Sequence, residues 1–154
     1  MTLNVNEPSD TRLISELASY IRENRAAISA IVGSDNFGSS TLEVAAGAVS
    51  LSVGTELSSD GIETVVISGA GLADIARILG GTDGQIKIFI FQDANIDFVD
   101  SISKANGTFY LNHLPAGSDF SPTQDDIIAI RNIGGDGALT YGYWKELFRT
   151  LSVK

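Results

Sequence analysis

The sequence predicts a mainly β protein, with one N-terminal α-helix followed by an antiparallel β-sandwich or jelly-roll-like domain. Two observations carry that prediction. A single capped stretch has helical spacing, and everything after it is short β-branched or alternating runs separated by glycine-rich turn clusters. The chain has 16 glycines in 154 residues, above the usual share of about 7%. A chain of this length buries roughly 70% of its unfolded surface, enough for one core of its own.

Residues 1–9 read as an extended arm. The helix follows over residues 10–33, in "SDTRLISELASYIRENRAAISAIVG". Ser9 or Asp10 caps its start after Pro8, and Gly33 ends it. Ile14, Ile21 and Ile28 fall at a positions of a heptad, and Leu17, Asn24 and Ile31 at d positions. Isoleucine at both kinds of position favours three or four strands over two, and one buried asparagine fixes register, so a short parallel trimer is the expected assembly. Leu13, Tyr20 and Val32 widen the apolar stripe, which is also how an ordinary amphipathic helix docks on a β-domain.

Residues 37–154 form the β-domain. Its strand-like runs are "TLEVAA", "AVSLSVG", "IETVVIS", "QIKIFIF", "NIDFVD", "TFYLN", "DIIAIRN" and "GYWKELFRTLSV". Between them lie "SSDG", "GGTDG", "ANG", "PAGSD" and "GGDG", clusters that supply positive φ or Asx-type turns. No long linker divides them.

Composition narrows the partners. With 10 Lys and Arg against 19 Asp and Glu the net charge is −9, a surface that repels nucleic-acid backbones and anionic lipid. The absence of cysteine excludes disulfides, thiol catalysis and Cys-ligated zinc. "MTLNVNEPSD" has neither the cationic start nor the apolar run of a signal peptide, and no stretch approaches the ~20 apolar residues of a membrane span. The expectation is synthesis in a cytoplasm without membrane insertion.

Each chemical motif falls short of its template. In "VVISGAGLADIARILGG", Gly69 and Gly71 match the first glycines of a dinucleotide fingerprint, but Asp74 stands where the third is needed and would repel pyrophosphate. Residues 72–79 fit a short helix or a strand equally well, since Ala73, Ile75, Arg77 and Leu79 alternate with Asp74, Ala76 and Ile78. Asp93, Asn95 and Asp97 occupy the first ligand positions of an EF-hand loop, but Phe98 replaces the turn glycine and Lys104 the bidentate glutamate. They read as solvated positions on or beside a strand, or as a cation site of another kind. His113 is the sole histidine and has no zinc partners or nucleophile elbow. Asp125 and Asp126 are adjacent and, on a strand, point to opposite faces. No catalytic residue, cofactor or metal site is expected, and the protein is read as a non-enzyme. Tyr110, Tyr141, Tyr143 and Trp144 pack a core or interface, or present a sugar platform in which Tyr141 and Tyr143 lie near Asp119 or Asp136.

The order of the capped helix, "IARILGGTDGQIKIFIFQDANIDFVD", "DDIIAIRNIGG" and a closing "YWKELFRTLSV" resembles small trimeric virion proteins of tailed bacteriophages: tail fibre tips, head fibres and capsid decoration proteins. The resemblance covers most of residues 72–152, and residues 37–68 have no counterpart in it. It implies a homotrimeric structural or attachment part of a virion, in contact with other capsid or tail proteins and, in the alternative, with a host receptor or surface glycan. The turn of Gly80, Gly81, Asp83 and Gly84 carries over as a structural signature, and Trp144 with Glu146 as part of the closing strand. No catalytic residue carries over.

Overall fold

In "IETVVI" and "IKIFIF" every second side chain is turned inward. Glu63, Val65 and Ile67 on one strand, and Lys87, Phe89 and Phe91 on the other, are buried while their neighbours are half-exposed. Period-2 burial of this kind requires a strand with one face on a core. The computed structural model describes residues 37–111 and 118–150, and these are mainly β. The helix expected over 10–33, with Ile14, Leu17, Ile21, Asn24, Ile28 and Ile31, and also His113, lie outside the described residues.

Among the described residues ten strands follow one another: β1 (Phe37–Val44), β2 (Ser50–Ser52), β3 (Ile62–Gly69), β4 (Ala73–Ile75), β5 (Arg77–Leu79), β6 (Ile86–Phe91), β7 (Ile96–Phe98), β8 (Thr108–Tyr110), β9 (Ile127–Gly135) and β10 (Tyr141–Thr150). Eight of them form one sheet in the order β1-β3-β6-β9-β10-β8-β5-β2, and β4 pairs with β7. The order leaves β1 and returns to β2, its neighbour in the chain, so the sheet curls round its own core.

The sheet is mixed, which corrects the antiparallel expectation. Five of the eight strand pairings among the described residues are parallel. Phe37 lies beside Ile62, and Ile62 beside Ile86, so the chain returns to the same wall after 25 and then 24 residues. Ser50 beside Arg77 and Ala73 beside Ile96 repeat the step at 27 and 23 residues on the other walls. Several turn clusters read from the sequence are thus corners of successive coils rather than hairpins: "SSDG" leads into β3 and "GGTDG" into β6. Alternation reports which face is buried and is silent on the direction of the neighbouring strand, so local pattern did not separate the two.

Residues 72–79, equivocal in sequence, form β4 and β5. The corner before them is tight: a Cβ on Gly71 would lie 2.8 Å from Ala46 Cβ in the coil below. The last coil is covered by β9 and β10, antiparallel to each other and joined through β9 to β6 and through β10 to β8. Inside, Phe98 stacks on Phe109 at 4.7 Å between centroids and meets Phe89 and Phe91 edge-on at 5.1 and 5.5 Å. Such pairings add about 0.5–1.5 kcal/mol each beyond area burial.

Candidate functional site

The outward face of the closing hairpin gathers the exposed chemistry. Directly opposed residues in paired strands point to the same side. Tyr143 faces Ile133 and Thr108, and Lys145 faces Arg131 and Tyr110. Tyr110 and Tyr143 meet edge-to-face with centroids 6.4 Å apart, and Lys104 Nζ lies 4.6 Å above the Tyr110 ring. Beside this cluster is a groove of about 400 Å³, lined by Lys104, Asn106, Ile133, Leu139, Thr140, Tyr141 and Tyr143 with Gly134 and Gly142.

The walls of the groove are held by backbone geometry. Asn106 has φ 58° and Gly142 φ 57°, a region costly for most side chains. A Cβ on Gly142 would strike the Ile133 carbonyl oxygen. Gly107 N–H donates to Gly142 O at 2.8 Å, tying the two walls to each other, and Asn132 Nδ2 donates to Tyr141 O at 2.9 Å, tying the second wall to the buried Asn132. The rim is the loop after β9. Asp136 accepts the N–H groups of Ala138, Leu139 and Thr140 at 2.9, 2.8 and 2.8 Å. These bonds, that to Thr140 foremost, hold its carboxyl below the usual carboxylate range. They also present Leu139, 93% exposed, at the loop tip.

The structure thus brings Tyr141 and Tyr143 together with the Asp136 loop. Asp119 instead accepts the Asp100 N–H at 3.1 Å. The signature turn and closing strand meet in the interior. Gly80 and Gly84 have φ of 74° and 88°, Asp83 accepts the Gly134 N–H at 2.9 Å, and Gly81 packs against Asn132 and Trp144, where a Cβ would lie 2.6 Å from Trp144 Cζ2. Trp144 is fully buried and donates from Nε1 to Ile78 O at 3.0 Å. Glu146, also buried, accepts from Arg149 Nε at 2.6 Å.

Of the residues that suggested a cation loop, Asp93 and Asn95 lie at a corner and Asp97 lies on β7, half-exposed and paired in register with Asp74. Asp93 accepts the N–H groups of Gly69 and Asn95 at 3.0 and 2.9 Å, and Asn95 Nδ2 donates to Gly69 O at 2.9 Å, joining one coil to the next. Among the described residues no three His, Cys, Asp or Glu side chains are placed to hold a metal ion. Asp126 accepts from Thr123 N–H and Oγ1 at 2.7 and 3.1 Å in the turn before β9.

Sequence reasoning missed a buried ion pair. Lys87 Nζ lies 2.7 Å from Glu63 Oε2 with both side chains fully buried. Lys87 also donates to Ser58 O at 2.6 Å, while Glu63 accepts from Ser40 Oγ at 2.8 Å and from Ser58 N at 3.0 and 3.1 Å. The 24-residue offset makes the two register partners. Comparison of the chain with protein-family models, curated proteins and solved structures finds no match.

Proposed function

We propose that this chain is a non-enzymatic, homotrimeric structural protein of a tailed-phage virion, of the capsid decoration, head fibre or tail fibre kind. The observation that carries the assembly half of this reading is the asymmetry of the coil stack. One end is covered by β9 and β10. At the other, β1 and β2 are the terminal strands of the sheet, each with one edge that meets no further strand among the described residues. Stacked coils require their ends to be covered, and an edge strand is a ready template for association. The heptad seam from Ile14 to Ile31 precedes β1 directly and supplies the threefold contact. The virion setting rests on the resemblance of the turn and closing-strand motifs.

Light scattering on the full chain is expected to give three times the 16.2 kDa chain mass. Ile21→Asp with Ile28→Asp is expected to reduce it to one. A monomer before substitution, or a trimer surviving it, would sink the trimeric-seam reading. Immunogold labelling of intact particles tests the virion setting, and unlabelled particles reject it.

The groove beside Tyr141 and Tyr143 favours a second reading on the same scaffold, a carbohydrate-binding module. Half-exposed tyrosines offer an apolar face to a pyranose ring and a hydroxyl to its edge.

A further inference from the structure

The carbohydrate reading leaves the chemistry of the sugar open, and the charges around the groove narrow it. The protein as a whole carries −9, yet among the described residues lining the groove the one side chain charged at neutral pH is Lys104. Lys145 and Arg131, both exposed, lie on the same outward face: Lys145 is the register partner of Tyr110, and Arg131, one strand further, is the partner of Lys145 and reaches toward Gly84. Three of the chain's ten Lys and Arg therefore share the face of this tyrosine pair, with Lys104 and Lys145 beside Tyr110. The carboxylates at the loop end turn oxygens to backbone N–H groups, Asp83 to Gly134, and Asp136 to Ala138, Leu139 and Thr140, and their charge stays at that end of the groove. A cationic, aromatic strip on an otherwise acidic surface concentrates anions locally while the rest of the molecule repels them.

We propose that the groove between the Lys104–Gly107 turn and the Leu139–Tyr143 segment binds a carboxylated pyranose within an acidic oligosaccharide, a proposal that rests on the carbohydrate reading above. The ring's apolar face lies on Tyr143 or Tyr141. Its carboxylate meets Lys104, which leaves the Tyr110 ring to reach it, and the next residue's carboxylate meets Lys145 or Arg131. Asn106 and Thr140 supply side-chain groups for ring hydroxyls. A neutral sugar would use the tyrosines, Asn106 and Thr140 and leave the cations of this face without a role.

The test is calorimetric titration of the full chain with oligogalacturonate, oligoglucuronate, oligomannuronate and sialyllactose, each beside its methyl ester, which keeps the ring and removes the charge. The expected result is that at least one acid binds, its ester binds at least tenfold more weakly, and affinity falls as salt rises. Lys104→Ala with Lys145→Ala is expected to lose tenfold or more for the acid and to change nothing for the ester, with unchanged thermal unfolding. Tyr143→Ala weakens both. Equal binding of acid and ester overturns the proposal and leaves the carbohydrate reading standing. No binding of any acid or ester overturns the proposal, and a glycan array that also shows no neutral sugar bound overturns the carbohydrate reading.

Discussion

Removing the Lys87 ammonium is the sharpest single test of how the coils are held together. Lys87→Met keeps the stem in the core but leaves the Glu63 carboxylate, fully buried, with only the Ser40 hydroxyl and the Ser58 N–H to stabilise it. Breaking a buried pair from one side costs about 3–5 kcal/mol, because the remaining charge has no counterpart. For a chain of this size that lowers Tm by about 6–20 °C. Glu63→Leu with Lys87→Met removes both charges. Ser40 and Ser58 are half-exposed, so water takes up the hydrogen bonds they lose. The double variant should therefore recover at least ~2 kcal/mol relative to Lys87→Met alone, a coupling typical of groups sharing one network. Equilibrium urea unfolding of the four proteins in the cycle measures this directly. A cost for Lys87→Met of under ~1 kcal/mol, the range of exposed pairs, or additive single effects, would show that the pair is hydrated and that the parallel register of β3 and β6 is wrong.

Other perturbations probe the closing hairpin. Gly81→Ala places a methyl 2.6 Å from Trp144 Cζ2 and closer still to Asn132, and overpacking of this kind should cost about 1–3 kcal/mol in urea unfolding. Trp144→Phe leaves Ile78 O without the indole donor it now has at 3.0 Å, for a loss of ~1–3 kcal/mol from the unpaired carbonyl, before any void is counted. For Asp136 the folded carboxyl titrates below its ordinary value of 3.8. Its contribution to loop order is therefore fully present above about pH 4 and is lost as pH falls through the lower folded value. NMR signals of Leu139 and Thr140 should shift together in that window, and Asp136→Ala should abolish the transition; signals that move independently would refute the capping role.

How much of this was legible in the sequence depends on whether the information was local. The buried face of each strand was, because alternation in "IETVVI" and "IKIFIF" follows directly from one-sided burial. The turn glycines were, since positive φ at Gly80 and Gly84 restricts residue choice. Strand direction was not, because a corner and a hairpin use the same Gly, Asp and Asn chemistry. A non-local signal did exist. The segments "IETVVI" and "IKIFIF" share an isoleucine, a charged residue and an apolar run at a spacing of 24 residues, which is the signature of a repeated coil. Opposite charges at the same phase, Glu63 and Lys87, were the clue to parallel neighbours. The tyrosine cluster was legible only in part: Tyr141 and Tyr143 share a face by period, whereas Tyr110, which carries Lys104 over its ring, and Arg131 reach that face through strand pairings that no local window contains.

The groove's rigidity follows from the same hairpin that covers the core, so on the proposed carbohydrate reading stability and binding are linked in a directional way. Asn132 is fully buried, donates to Tyr141 O and accepts the Gly135 N–H at 2.9 Å. It therefore fixes the strand end from which Tyr141 and Tyr143 project. Gly107 N–H, bonded to Gly142 O, fixes the facing turn that carries Lys104. A site whose walls are set by buried backbone bonds orders little on binding, so more of the contact energy appears as affinity. Asn132→Ala leaves the Gly135 N–H and Tyr141 carbonyl unpaired, at ~1–3 kcal/mol each. It should lower unfolding stability and sugar affinity together, although its side chain is buried away from the groove. Lys104→Ala, on the exposed rim, should lower affinity alone. If Asn132→Ala destabilises the fold and leaves affinity for the acidic oligosaccharide unchanged, the tyrosines are adaptable side chains and the hairpin does not preorganise them.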